Sequence, residues 1–451
     1  MQSRRLIPVD TSVRRDLRMQ TIRRPGTERS AADPRCAPTP VKHGHHQQTG
    51  QGGLSPGRLG TYHPVMIVIR RRSAAGRILV ALLVVASVAL LAAAAVAAVW
   101  WFRPNAANVS ADLAIQSREP VASRDRNWNP SLAIHNNQLF LAYATTGDGG
   151  TRRSPALAIE TSDDGERWRR VAVLSPAPRW SGQIRLASAG GQLVIYSISA
   201  ADDSEPAGNA GAQTVSVSSD GVHWREAEVS PAGLKILQSP VTSGQHEWYA
   251  AATSGGSLML ARSTDGIEWA MVSDIAAGLV ERTGAVVSAA VTTLPGGRLL
   301  ALVTCEVETG TSETFIAVSR APFREWGEWQ VTDVDLSEPA LVSTESQVYA
   351  LDHTTVPTGF IDDIAGLATG GRAILYEVDE SSVSYLSDFP ASGEVSRLSL
   401  ASDAGFVFSA YQSGRIDRDP PPFMARAVRP RIVVTSVPMG NLLMRSLAGD
   451  R

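Results

Sequence analysis

From Ile78 to Phe102 the chain reads ILVALLVVASVALLAAAAVAAVWWF, 25 residues in which Ser87 is the only polar position and no charge occurs. As a helix rising 1.5 Å per residue, this segment is about 37 Å long, enough to cross a hydrocarbon core of about 30 Å with some tilt. Before it the pattern is different: residues 1 to 65 are dominated by Pro, Gly, Ser, Thr, Gln and Arg without a lasting apolar period, which predicts a disordered tail. After it, from 103 to 451, no stretch holds the period of an amphipathic helix. Short apolar or alternating runs follow one another, separated by glycine-rich or polar turns, and this predicts an all-β region.

The runs repeat. A tight polar or glycine turn leading into an apolar strand occurs six times, as HNNQ-LFLAY from His135, AGGQ-LVIYS from Ala189, SGQHE-WYAA from Ser243, LPGGR-LLAL from Leu294, TESQ-VYAL from Thr344 and SDAG-FVFSA from Ser402. The last turn residues are Gln138, Gln192, Glu247, Arg298, Gln347 and Gly405, giving steps of 54, 55, 51, 49 and 58. A period near fifty built only of strands has the size of a four-stranded propeller blade. The expected fold is an all-β, six-bladed β-propeller preceded by one transmembrane helix and a disordered N-terminal tail. Its parts are expected at 1–65 (tail), 66–77 (basic flank), 78–102 (span), 103–127 (linker), 128–437 (propeller) and 438–451 (C-terminal tail).

A second motif sits at a fixed place in the first three repeats. Ser162, Asp164, Gly165 and Trp168, then Ser218, Asp220, Gly221 and Trp224, then Ser263, Asp265, Gly266 and Trp269 all read S-x-D-G-x-x-W between two strands. These are hairpin turns by their chemistry: the carboxylate accepts from turn N–H groups, the glycine takes a positive φ, and the tryptophan is large enough to fill space between sheets. The motif resembles the Asp-box (BNR) repeats of the sialidase-like β-propellers, in the shortened form common in bacterial members, and the resemblance covers roughly residues 120 to 437. It implies a six-bladed fold in which these turns are structural and ligands bind on the opposite face. The fourth copy, Ser319 to Trp326, keeps only the Ser and the Trp; blades five and six have Asp379 to Ser382 and Arg429-Pro430 at that place.

Alternating strand direction puts the turns between first and second strands on the same face as the S-x-D-G-x-x-W turns. The loops between second and third strands share the other face, and so do the links into each new blade. The longer polar loops fall there: Thr146 to Pro155, Ala201 to Ala212 and Glu306 to Glu313. Around the axis the expected ligand-binding residues are those at the starts of the inner strands, Trp128, Asn129, Arg185, Gln238, Arg282 and Glu338, with Glu394 at the sixth. A family sialidase requires an arginine triad for the substrate carboxylate, a Tyr nucleophile assisted by Glu, and an Asp acid/base. At the family's first arginine motif this chain has Asn127-Trp128-Asn129-Pro130, without the Arg, so Arg185 and Arg282 are left as candidates for a rearranged clamp.

Charge changes the picture once it is split along the chain. The net charge is -2, yet residues 1 to 77 hold fourteen Arg and one Lys against four carboxylates, a net of +11, which leaves -13 for the rest. Arg70, Arg71, Arg72 and Arg77 precede the apolar run and Trp100, Trp101 and Phe102 close it, so the positive-inside rule places the N-terminus in the cytoplasm and the acidic part outside. A cleaved signal peptide is the competing reading, disfavoured because such apolar cores run about 7 to 15 residues. Translation starting at Met66 would give an ordinary signal anchor; peptides recovered from 1–65 in the native protein would exclude it. The acidic outer part gives no reason to expect nucleic acid. Cys36 and Cys305 offer no pair, His43, His45 and His46 are expected to be solvated, and no metal or cofactor is expected. Phosphate-loop, nucleophile-elbow and dinucleotide motifs are absent from the sequence. The functional expectation is a single-pass, monomeric, non-catalytic binding module for a glycan or protein at the cell envelope. The alternatives are a sialidase-like glycoside hydrolase and an assembly factor for a membrane complex.

Overall fold

The computed structural model describes residues 74–101, 109–121, 125–147, 155–174, 180–189, 191–199, 213–243, 247–279, 285–307, 311–356, 370–392, 395–403, 405–414, 416 and 430–449. The predicted tail and its histidines, Arg282, Glu394 and the loop 201–212 lie outside these. Helix α1 (Ala74–Trp101) contains a 21-residue stretch, Gly76–Val96, of mean hydropathy 2.9 with nothing packed on it, long and apolar enough to cross a membrane.

The strands form six antiparallel sheets. Blade one is β2 (Asn127–His135), β3 (Gln138–Thr145), β4 (Ala156–Ser162) and β5 (Arg169–Leu174); blade two is β6 (Trp180–Ala189), β7 (Gln192–Ser199), β8 (Gln213–Ser218) and β9 (Arg225–Glu228). Blade three has a broken inner strand, β10 (Lys235–Ile236) and β11 (Val241–Ser243), both paired with β12 (Glu247–Ser254), followed by β13 (Ser257–Ser263) and β14 (Trp269–Asp274). Blade four is β15 (Val286–Leu294), β16 (Arg298–Glu306), β17 (Ser312–Ser319) and β18 (Gln330–Val331), and blade five is β19 (Ala340–Ser343), β20 (Val348–Val356), β21 (Gly370–Val378) and β22 (Val383–Phe389). Inner strands of adjacent blades touch around a closed ring, blade six returning to blade one. This is a six-bladed β-propeller.

Blade six takes three strands from the end of the chain, β23 (Ser396–Ser402), β24 (Phe406–Ser413) and β25 (Arg431–Pro438), and its outer strand from the beginning, β1 (Gln116–Arg118). Residues 116–118, within the stretch expected as linker, therefore belong to the propeller. A 3-10 turn at Ala111–Leu113 buries Leu113 completely, and the C-terminal stretch forms a helix, α2 (Met439–Gly449), whose Leu442 is equally buried. The sequence did not mark β1 because a three-residue polar edge strand, QSR, carries no alternation to detect.

The core is divided into six apolar layers, each between two neighbouring blades. Strand β3 shows why its sequence is apolar throughout: Leu139, Leu141 and Tyr143 face blade six, while Phe140, Ala142 and Ala144 face blade two. A middle strand is covered on both sides, so period two is present in the contacts but hidden in the letters.

Candidate functional site

The three S-x-D-G-x-x-W turns share one geometry. In blade two, Ser218 Oγ accepts from the N–H of Gly221 at 2.8 Å and donates to Asp220 Oδ1 at 3.0 Å, which also accepts from the N–H groups of Val222 and His223, both at 2.8 Å. Ser162 with Asp164 and Ser263 with Asp265 repeat this in blades one and three. Each indole then donates to the glycine carbonyl, from Trp168 to Gly165, Trp224 to Gly221 and Trp269 to Gly266. Backbone donors hold the Asp164 carboxyl below its ordinary range; at Asp220 the His223 ring has the largest such effect, ahead of the backbone donors. Blade five keeps only the carboxylate's part, Asp379 Oδ1 accepting from Ser381 and Ser382. The Ser hydroxyl, one carboxylate oxygen and the indole N–H of each turn are thus used within the turn, which fastens the rim of the fold.

The opposite ends of the inner strands behave differently. There a recess of about 660 Å³, open to solvent, is walled by blades two to six. Gln183 of blade two donates to Glu338 Oε1 at 2.8 Å, and Arg397 of blade six reaches the same oxygen at 3.0 Å, so one carboxylate from blade five ties together residues 155 and 59 positions away. Arg185 stands beside them, with Nε donating to the Leu237 carbonyl at 3.0 Å and Nη1 to that of Ile184 at 3.3 Å. Burial pulls its pKa down to about 10, against the pull of Glu338. The Ser288 hydroxyl, also in the wall, is buried and has no hydrogen-bond partner among the described residues. Further along the strands Ala289, Leu341 and Leu400 make the wall apolar.

Inter-blade bonds circle this recess. Ser399 Oγ accepts from Leu132 N–H, Ser131 Oγ from Leu186 N–H, Arg185 donates to Leu237, and Gln238 Nε2 donates to the Val291 carbonyl. Of the residues expected at the axis, Arg185, Gln238 and Glu338 line the recess. Gln238 does so because the inner strand of blade three breaks there. Trp128 instead packs between blades one and two, and Asn129 is buried at a bulge with φ 54. Arg397 and Gln183 were not expected. Arg397 lies at a bulge of β23 with φ 57, a conformation costing an ordinary side chain about 1–2 kcal/mol, and no residue pattern announces it.

A buried carboxylate supports this constellation from behind. Asp352, 2% exposed, accepts from the backbone N–H groups of Ser337 and Glu338, fixing the turn that aims Glu338. His353 Nδ1 lies 3.6 Å from Asp352 Oδ1. Burial pushes the His353 pKa down, but the Asp352 carboxylate more than offsets this and the net shift is upward. A raised histidine pKa contributes stability that is present below the unfolded value and lost as pH rises through the folded one. NMR titration of the His353 ring should therefore give a pKa above the ordinary value of about 6.5. In Asp352→Asn it should fall below that value; no change on substitution would contradict the pairing.

The tyrosines are used elsewhere. Tyr143 donates to Glu160 Oε1 at 2.6 Å and accepts from Arg170 at 2.7 Å inside blade one, Tyr196 donates to the Gly266 carbonyl, and Tyr411 to that of Pro390. Burial raises their pKa values, and that of Tyr249 to about 12, with Glu247 adding to the effect. Among the described residues no tyrosine lines the recess.

No protein-family model matches the chain, and no curated protein does. Solved structures do: a Dyadobacter fermentans protein of unknown function superposes with a TM-score of 0.51 at 16% identity, over 74% of this chain and 98% of its own. A Trypanosoma rangeli sialidase with 2,3-difluorosialic acid gives 0.49 at 11% identity over 76% of this chain, which spans 61% of that enzyme's length. The phage phi92 endosialidase gives 0.49 at 8%, over 72% and 69%. At such identities the first likeness speaks for the fold alone, a six-bladed propeller that the chain shares with a protein whose activity is itself unknown.

Proposed function

We propose that the protein is a membrane-anchored, non-catalytic binding module whose axial recess takes a hydroxyl-rich ligand, a glycan terminus with at most one anionic group, at the outer side of the envelope. The observation that carries the reading is the Gln183–Glu338–Arg397 constellation beside Arg185. Among the described residues two guanidiniums face one carboxylate, with the Asp352 carboxylate buried behind it, and the amide and hydroxyl groups beside them suit sugar hydroxyls. The backbone cost at Arg397 is of the kind that persists at ligand sites. Tyrosines engaged within the blades, with raised pKa values, support binding over a hydrolase with a Tyr nucleophile.

The test is a glycan panel presented to the detergent-solubilised full chain, read by calorimetry, with release of fluorophore from aryl glycosides, sialosides included, measured in parallel. Arg397→Ala is expected to weaken binding by about ten- to a hundredfold, the value of one charge-assisted hydrogen bond. Turnover that this substitution abolishes would establish the hydrolase instead, and binding indifferent to it would move the site elsewhere.

A further inference from the structure

We propose that the outer face of α2 rests on the surface of the bilayer that α1 would span, pressing the turn end of the propeller against lipid. The inference rests on reading α1 as a membrane anchor. Gly440, Met444, Leu447 and Ala448 are exposed, Met444 by 69% and Leu447 by 66%, and their spacing of four, three and one places them on one stripe of the helix. The other face is already occupied: Leu442 is buried with Leu113 in the layer between blades five and six. Arg445 pairs with Asp112 at 3.3 Å. The helix is thus stapled to the segment by which the chain enters the propeller from α1.

That segment is tethered closely. Eight residue steps lead from Trp101, the end of α1, to Val109, at most about 29 Å of fully extended chain. The stapled corner therefore stays within that distance of the end of the span. Both termini of the propeller lie at the same end of the strands: Gln116 opens β1 opposite Ser436, near the finish of β25, and Met439 N–H donates to the Gly405 carbonyl in the turn before β24. The stripe thus lies at the end of the fold the tether draws toward the lipid. A helix with Met and Leu turned outward has the apolar stripe of an interfacial helix, able to bury those side chains below the headgroups.

The experiment uses the full chain in liposomes, in a Cys36→Ser background where Cys305 is buried and unreactive. A polarity-sensitive fluorophore is placed on Leu447→Cys, or on Val287→Cys in the axial recess, and a shallow lipid-borne quencher is added. Flotation resistant to carbonate checks the anchor separately. Quenching is expected to be strong at position 447 and weak at 287. Adding Met444→Glu should lower the docked-to-undocked ratio at 447 about tenfold, the effect of losing roughly one buried apolar side chain. Retained flotation with equal quenching at the two positions overturns the docking alone; loss of flotation overturns the anchor and the docking together. Self-quenching between copies labelled at 447, without lipid quenching, assigns the stripe to a second copy and also overturns the proposal.

Discussion

Gly221→Ala is expected to destabilise the propeller by about 3 kcal/mol or more, whereas Gly191→Ala, with nearly the same backbone angle, should cost only about 1 kcal/mol. Both glycines adopt left-handed φ, 75° and 76°, so the intrinsic penalty of a side chain is shared. Their surroundings differ: a Cβ on Gly191 meets nothing within 4 Å, while one on Gly221 falls 2.2 Å from Cε1 of Phe140, a buried ring of the preceding blade. Gly165 stands in the same relation to Phe408 of blade six, at 3.0 Å, and Gly266 to Val194 of blade two, at 3.1 Å. The turn glycines are thus contact surfaces between blades as well as turn formers. Denaturant unfolding of the two variants checks the difference, and equal losses would refute it. In a Phe140→Ala background the added cost of Gly221→Ala should fall to that of the backbone alone, a coupling that a purely local turn effect would not produce.

Removing residues before 119 is expected to have a still larger effect, leaving a chain that opens at blade six and aggregates. β1 contributes only three paired residues, but its approach is anchored: Leu113 is fully buried, and Ser110 N–H donates to Ser387 Oγ at 3.0 Å. Leu113→Ala alone should cost about 3 kcal/mol, as a large-to-small change in a packed layer. The truncation also bares the β25 edge, whose unpaired N–H and C=O groups template pairing with another chain. Chains beginning at 109 and at 119 can be compared by size-exclusion chromatography and thermal unfolding; equal melting and monodispersity would show that β1 is dispensable.

The blades were readable in the sequence because their middle strands bury both sides. Runs such as Leu139–Thr145 must be apolar, and turns such as Ser162–Trp168 must carry Asp and Gly at fixed places. Three residues of the recess wall were readable for a related reason: counting back from each turn reaches Arg185, Gln238 and Glu338. The count fails where a bulge inserts a residue. Before β23 it stops at Glu394, outside the described residues, and does not reach Arg397, and in β2 it reaches Trp128, packed between blades one and two, and Asn129, buried at a bulge. Nor does composition reveal how a side chain is used, since Arg185 Nε donates across a blade boundary to the Leu237 carbonyl and Nη1 to the carbonyl of its own neighbour Ile184.

The closing of the ring by β1 has a geometric consequence for what the protein can sense. Glu338 and Arg397 each sit five residues from the turn at the end of their strands, Ser343 and Ser402, or about 17 Å at the rise of an extended chain. The tether enters at that turn end, so on the proposed arrangement the recess looks away from its own lipid with the depth of the domain beneath it. A reader placed so would be blind to the headgroups it stands on. It would sample material layered above the membrane or carried past it, and an elongated tether would change the height at which it samples without altering what it recognises.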